Sequence, residues 1–251
     1  MLCKRIIPCL DVKDGIVVKG TNFVNLQEAG SAIELADKYY QEGADELVFL
    51  DITATIEKRK TLTDLVEKVA KVIRIPFTVG GGISEIKDIR ILLNAGADKV
   101  ALNSAIVRNP EIISEASRSF GSQAIVAAID TKKVGNENKV FINAGKVETQ
   151  LDTIEWCKKV EKLGAGEILL TSVDTDGTKA GYDIDLLDLL SKEINIPIIA
   201  SGGAGEMKHF LDAFEKTNVD ACLAASVFHY GEIKIDELKK YLHKNKINVR
   251  I

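Results

Sequence analysis

The two halves of this 251-residue chain repeat one another. The stretch "VGGGIS", which begins at Val79, is followed 121 positions later by "ASGGAG" from Ala200. "GADELVFLD" from Gly43 corresponds to "GAGEILLTS" from Gly164 at the same distance of 121. Because a repeat unit of this length contains several strands and helices, we expect the chain to fold as two similar halves that complete one structure.

Short apolar runs alternate with amphipathic stretches along the whole chain. The runs are often β-branched and apolar on both faces, which is typical of parallel strands covered by helices. Eight such strand–helix pairs predict an α/β fold, a (β/α)8 TIM barrel in a single domain, 1–251, built from half-barrels of approximately 1–120 and 121–251. A doubly wound open sheet is the alternative. The predicted strands are Ile6–Asp11, Leu47–Asp51, Phe77–Gly80, Lys99–Asn103, Ile125–Asp130, Glu167–Thr171, Ile198–Ser201 and Ala221–Ala225.

Composition restricts the classes of function. The net charge is about −4, which argues against a nucleic-acid-binding protein because phosphate backbones favour clustered Lys and Arg. The cysteines are scattered without a CxxC pair, so neither a disulfide framework nor a metal site is expected. No secretory leader opens the chain and no apolar run approaches ~18 residues. We therefore expect a soluble cytoplasmic protein that needs no cofactor and contacts no membrane.

Glycine-rich loops follow the third and seventh predicted strands. Glycines there allow backbone N–H groups to approach an oxyanion, and the next helix N-terminus favours negative charge. The fourth and eighth strands end beside these loops in "LNS" and "AAS", with the hydroxyls of Ser104 and Ser226. Each loop alone could be a tight turn, but two related by the repeat predict two phosphate sites. A substrate with a phosphate at each end would fit such a pair.

The first and fifth strands each end in an aspartate, Asp11 and Asp130, 119 positions apart. These strands face each other in an eight-stranded ring, at the end of the barrel where active sites lie. Either carboxylate could simply cap a turn, but an opposed pair favours a general acid and a general base. Cys9 is expected in the core, and His209 and His229 on the helix and loop surface.

Charged residues are predicted to line the other end of the barrel. Counting back in twos from the strand ends places Arg5, Lys99 and Glu167 on the inward face, and Glu46 is the repeat partner of Glu167. Barrel interiors are normally apolar. The set is therefore either a ring of surface salt bridges at the strand starts or a polar opening into the barrel axis that can close.

Long motifs throughout the chain resemble those of one family, the cyclase subunits of imidazole glycerol phosphate synthase. The resemblance covers essentially the whole chain. The motifs are "RIIPCLDVKDGIVVKG", "ADELVFLDITA", "TVGGGI", "GADKVALNSA", "FGSQAIVAAID", "GAGEILLTSVDTDGTKAGYD", "IASGGAG" and "LAASVFH".

The resemblance implies a barrel enzyme of histidine biosynthesis that works in a heterodimer with a glutaminase subunit. The glutaminase would dock on the N-terminal face of the barrel and send ammonia through it. Ammonia would react with a phosphoribulosyl-formimino aminoimidazole carboxamide ribonucleotide, a substrate with two phosphates. The products would be imidazole glycerol phosphate and aminoimidazole carboxamide ribonucleotide.

The resemblance also assigns roles to residues. Asp11 and Asp130 match the catalytic aspartates, and Asp98 matches a residue at the glutaminase interface. The loop after the fifth strand, 139–153, departs from the family in having Thr149-Gln150 where Thr-Gly is usual. The charged gate matches Arg5, Glu46, Lys99 and Glu167. The substrate- or phosphate-binding positions match Lys19, Gly82, Asn103, Ser104, Thr171, Asp176, Gly177, Ser201, Gly203, Ala225 and Ser226.

Three other functions compete with the cyclase. The related bisphosphate sugar isomerase of histidine biosynthesis has a similar repeat and paired aspartates but works alone. Relatives that amidate surface sugars usually lack the first aspartate. A barrel that binds phosphates or a partner without catalysis would not need Asp11, Asp130 and Lys19 together. The opening "CLDVKDG", the stretch "DKVALNS" and the charged set favour the cyclase.

Overall fold

Eight parallel strands close into a barrel in the computed structural model, which describes residues 2–13, 16–21, 24–52 and 59–251. The side chains of 19–21, 24–29 and 59–61 are not described. Closure is direct, because the first strand pairs with the last and Glu167–Ser172 pairs with Ile125–Val134. The predicted barrel is confirmed and the open sheet is wrong.

The barrel strands agree with the predicted runs within two residues at each end, except that β7 continues four residues beyond Asp130. They are β1 (Arg5–Lys13), β4 (Leu47–Asp51), β5 (Phe77–Gly80), β6 (Lys99–Leu102), β7 (Ile125–Val134), β10 (Glu167–Ser172), β11 (Ile198–Ser201) and β12 (Ala221–Ala224). The helices around them are α1 (Ala32–Gln41), α2 (Arg59–Val72), α3 (Ile86–Asn94), α5 (Glu111–Phe120), α6 (Thr153–Leu163), α7 (Ile184–Glu193), α8 (Met207–Lys216) and α10 (Ile235–Lys244).

Additional elements stand at equivalent places in the two halves. A hairpin extends the first strand of each half: β2 (Ile16–Thr21) with β3 (Val24–Ser31), and β8 (Glu137–Ile142) with β9 (Val147–Asp152). Short helices α4 (Ser104–Arg108) and α9 (Ser226–His229) follow the last strand of each half. The strand prediction omitted both hairpins, although Gly135-Asn136 between β7 and β8 is a recognised hairpin-turn pair.

Alternate residues of each barrel strand enter two separate apolar cores. Ile6, Leu10 and their outward-facing equivalents pack against the helices. Ile7, Cys9 and Val48 belong to a smaller core inside the barrel, which several alanines complete. Side chains that alternate across a strand produce this division. The interior is therefore apolar between its two polar ends.

Helix starts follow the local chemistry of the sequence. Asp183 caps α7 and accepts a hydrogen bond from the Leu186 N–H at 3.2 Å. Pro110 lies at the N-cap of α5, one residue before its first helical position. Both glycine-rich loops lead into a helix whose cap is a glutamate, Glu85 or Glu206, in a capping box. Among the described residues, no helix combines the length and apolar character needed to cross a bilayer.

Candidate active site and charged ring

The predicted charged residues at the strand starts form a closed ring of ion pairs. Arg5 contacts Glu46 at 2.8 Å and Glu167 at 2.5 Å. Lys99 contacts the same two carboxylates at 3.0 and 2.7 Å. Each cation therefore bridges both anions. We call these four residues the charged ring.

The ring crosses the barrel axis and is mostly buried. The side chains of Glu46 and Glu167 are 2% and 6% exposed, whereas Arg5 and Lys99 are 23% and 18% exposed. Thr78 donates a further hydrogen bond to Glu46 at 2.9 Å. Burial alone would lower the pKa of Arg5, but the two carboxylates raise it overall. The arrangement is not the surface salt bridges of the alternative interpretation, because both carboxylates are buried.

A cavity of about 260 Å³ occupies the opposite, carboxyl end of the barrel. Asp11 and Asp130 line it from strands that lie on opposite sides of the barrel, as predicted. The predicted substrate positions on its wall are Thr171, Asp176, Gly177, Ser201, Gly203, Ala225 and Ser226. These belong to the second half of the chain.

The surroundings of Asp130 raise the pKa of its carboxyl group towards neutral pH. Burial raises the pKa of Asp130 to about 6; a hydrogen bond from Asn103 opposes this shift, the charge of Asp176 adds to it, and the Gly145 N–H opposes it. Asp130 therefore exchanges its proton nearer to neutral pH than an exposed aspartate does.

Asp11 is only 4% exposed and lies above the interior core. The Cys9 thiol, 3.9 Å from an Asp11 carboxylate oxygen, is on the same side of β1. Cys9 is buried in the interior core, as predicted, and also contributes to the base of the cavity.

The second glycine-rich loop approaches its neighbours too closely to accept side chains. Gly202 and Gly203 have φ of 93° and 101°, in the left-handed region. A Cβ on Gly203 would overlap the carbonyl oxygen of Gly181, whose N–H donates to the Gly203 oxygen at 2.8 Å. The tight turn is therefore real, and the same loop also lines the cavity.

Several predicted site residues lie elsewhere. Gly82, Asn103 and Ser104 do not line the cavity, although Asn103 reaches Asp130 by hydrogen bonding. The side chain of Lys19 lies outside what the structure describes. Asp98 is exposed at the start of β6, beside the charged ring, and accepts a hydrogen bond from the Phe77 N–H at 3.0 Å.

Two lysines of the cavity wall, Lys132 and Lys146, were missed. Lys132 could have been found, because it follows Asp130 by two residues on the same strand and therefore faces the same way. Lys146 had no such signal, since the β8–β9 turn brings it to the cavity.

The histidines contact protein groups. His209 caps α8, where its Nδ1 accepts from the Gly205 and Glu206 N–H groups at 3.1 and 3.2 Å. His229 Nδ1 lies 2.6 Å from the Tyr39 hydroxyl. Both histidines lie on helices but are half-buried, so the expected surface placement holds only in part.

Comparison with known proteins gives matches over the whole chain. The family described as "Histidine biosynthesis protein" matches residues 5–234. A protein of Hydrogenobaculum sp. (strain Y04AAS1) named imidazole glycerol phosphate synthase subunit HisF is 61% identical over 252 residues, covering 100% of both chains. Proteins of the same name from Bacillus cereus strains G9842 and Q1 are 58% and 57% identical over the same full extent.

Proposed function

The chain belongs to the histidine biosynthesis family and, within it, to the HisF subunits of imidazole glycerol phosphate synthase; from this premise we propose that Asp11 and Asp130 carry its cyclase reaction. Ammonia and phosphoribulosyl-formimino aminoimidazole carboxamide ribonucleotide are the substrates. Imidazole glycerol phosphate, aminoimidazole carboxamide ribonucleotide and one water, which carries away the carbonyl oxygen, are the products. We place this reaction in the cytoplasm.

The observation that carries the proposal is the placement of two carboxyl groups on opposite sides of one cavity. Addition of ammonia to a ribulosyl carbonyl, and the ring closure after it, require one proton donor at oxygen and one proton acceptor at nitrogen. Two opposed carboxyl groups can serve in these roles. The pKa of about 6 at Asp130 allows proton exchange near neutral pH, where acid–base catalysis is most effective.

The phosphate-binding role of the second-half loops rests on backbone geometry. Gly202 and Gly203 bring the main chain to the cavity surface, and Ser201 and Ser226 line the same wall. Lys132 and Lys146 add positive charge there. The first-half loop at Gly82 is proposed to bind the other phosphate.

The charged ring is proposed as the entrance for ammonia from a glutaminase partner. HisF proteins are named as subunits, so a partner is expected, and Asp98 and the ring lie at the same end of the barrel. The apolar interior between ring and cavity suits neutral ammonia, because ammonium would lose its hydration there. The ion pairs of Lys99 and Arg5 close this end, and at least one must open to let ammonia pass.

Product analysis tests the function. The protein, incubated with the bisphosphate substrate and an ammonium salt without any glutaminase, should form imidazole glycerol phosphate. Asp11→Asn and Asp130→Asn should bind substrate without forming product. If the wild-type protein isomerises the precursor of this substrate but never incorporates nitrogen, the cyclase assignment is wrong.

A further inference from the structure

The Ser104 hydroxyl makes hydrogen bonds to Asn103 and Asn143. Asn103 bonds to the Asp130 carboxyl group, and Asn143 begins the turn whose Gly145 N–H also bonds to it. The Ser104 oxygen accepts a hydrogen bond from the Asn143 N–H at 3.0 Å. It also donates to Asn103 Oδ1 at 3.1 Å. The Asn143 N–H can only donate, so the Ser104 oxygen accepts that bond. The Asn103 NH₂ group faces the Asp130 carboxylate, so Asn103 Oδ1 accepts the Ser104 proton.

The first connection orients the Asn103 side chain. With its oxygen occupied by Ser104, Asn103 presents its NH₂ group to the Asp130 carboxylate. An ionised carboxylate only accepts hydrogen bonds, so this orientation of the amide is the productive one. Without the Ser104 hydroxyl, only the Asp130 carboxylate would select this orientation of the amide.

The second connection holds an unusual turn between β8 and β9. Asn143, Ala144 and Gly145 have φ of 55°, 57° and 71°, a left-handed conformation that costs free energy at residues other than glycine. Ser104 holds the Asn143 N–H, and Arg108 donates to Asn143 Oδ1 at 2.8 Å. The turn ends with the Gly145 N–H directed at Asp130.

We propose that Ser104 is a positioning residue for Asp130, which acts through Asn103 on one side and through the Asn143–Gly145 turn on the other. This inference rests on the proposed function of Asp130. The role concerns the Ser104 hydroxyl, which bonds to protein groups. It is compatible with a substrate contact through the Ser104 main chain, at the position where the family resemblance implies one.

The other half of the barrel lacks this arrangement. Ser226 occupies the place of Ser104, but Ala225 stands where Asn103 stands and has no amide to orient. Ser226 also lines the cavity, whereas Ser104 does not. Two serines related by the repeat therefore serve different tasks, and Ser226 provides a matched control.

The inference predicts the direction of a pH effect. The bonds from Asn103 and Gly145 both lower the pKa of Asp130, so their loss should raise it. The charged groups around Asp130 stay in place when Ser104 is changed: Asp11 from β1, Lys132 from β7, Lys146 from the β8–β9 turn and Asp176 from the loop after β10. A shift in the part of the kcat/KM–pH profile that depends on Asp130 ionisation would then be caused by the loss of these hydrogen bonds.

The kinetic test compares Ser104→Ala, Ser104→Thr and Ser226→Ala with ammonium salt as nitrogen donor. For Ser104→Ala we expect kcat to fall about tenfold, part of the ~100- to 10,000-fold that a general acid–base group supplies. The Asp130 limb of kcat/KM should move up by roughly half a pH unit to one unit, the value of one hydrogen bond. Ser104→Thr keeps the hydroxyl and should restore both. Ser226→Ala should raise KM without moving the limb.

A titration of the Asp130 carboxyl carbon by NMR, in wild type and Ser104→Ala without substrate, makes the test independent of turnover. An upward shift in the variant supports positioning even if the reaction assigned above is wrong. A higher KM with unchanged kcat and an unmoved carboxyl titration would make Ser104 a substrate contact and overturn the inference. Native-like circular dichroism of each variant separates these results from misfolding.

Discussion

The two ends of the barrel differ in whether their buried carboxylates are neutralised by cations. At the strand starts, Arg5 and Lys99 neutralise Glu46 and Glu167 through contacts of 2.5–3.0 Å. At the strand ends, Asp130 has a second carboxylate, Asp176, as a neighbour that raises its pKa. One end is internally matched, and the other holds a group whose ionisation costs free energy.

This difference indicates where chemistry takes place. A ring of matched charges needs no ligand to be stable, so a change there should affect passage and folding more than the reaction. A carboxyl group held away from its ordinary pKa is typical of catalytic sites. Changes at the two ends should therefore separate ammonia-dependent from glutamine-dependent activity.

The largest effect is expected from Asp130→Asn at the carboxyl end. The amide fills the same space but cannot exchange a proton, so kcat with ammonium salt should fall by ~100- to 10,000-fold. Steady-state kinetics and substrate binding by calorimetry measure the two steps separately. A kcat within threefold of wild type would remove Asp130 from the catalytic pair.

The same variant should change how stability depends on pH. The pKa of Asp130 is raised from 3.8 to about 6, so the unfolded state ionises first and the wild-type fold loses stability as pH rises from about 4 to 6. Asp130→Asn lacks this loss and should gain up to ~3 kcal/mol relative to wild type at pH 7.5, an upper bound because cavity water screens the charge. Urea unfolding at pH 3.5 and 7.5 measures it. A difference between variants that is equal at both pH values would contradict the raised pKa.

A change in the glycine loop should weaken substrate binding. Gly203→Ala places a Cβ on the Gly181 carbonyl oxygen and should displace the loop, raising KM by an estimated ~10-fold through lost backbone contacts. Gly231→Ala is the control, because Gly231 also has a positive φ, 67°, but open space around its Cβ. Equal KM values for the two variants would show that this loop is only a structural turn and does not contact the substrate.

The smallest effect on the reaction is expected at the charged ring. Lys99→Ala leaves one cation, Arg5, for two buried carboxylates and should lower the free energy of unfolding by about 3–5 kcal/mol. Ammonia-dependent kcat should stay near wild type, whereas in the complex the ratio of glutamate to imidazole glycerol phosphate should rise above one. Lys192→Ala, at an exposed pair with Asp188, should cost less than ~1 kcal/mol and leave the ratio unchanged. Loss of ammonia-dependent activity in Lys99→Ala would refute the gate.

The sequence predicted the barrel strands well because their signal is local. A run such as Leu47–Asp51 is apolar on both faces because helices cover one side of the strand and the barrel interior lies on the other. Position along each strand then placed Asp11 and Asp130 at one end of the barrel and the charged ring at the other, and the period of two placed Arg5, Lys99 and Glu167 on the inward face. Strands β8 and β9 are mostly polar, and only Val140 and Phe141 in them are buried, so no continuous apolar run indicated them.

The sequence by itself thus determined the repeat, the alternation of strands and helices and the end of the barrel at which each charged group lies. These follow from backbone periodicity, which is the same wherever a strand is placed. Only the tertiary structure decided that Ser104 bonds to Asn143, or that each cation of the ring bridges both carboxylates. Such contacts join residues far apart in the chain, and they exist because closure of the barrel brings separate strands and a hairpin turn within hydrogen-bonding distance.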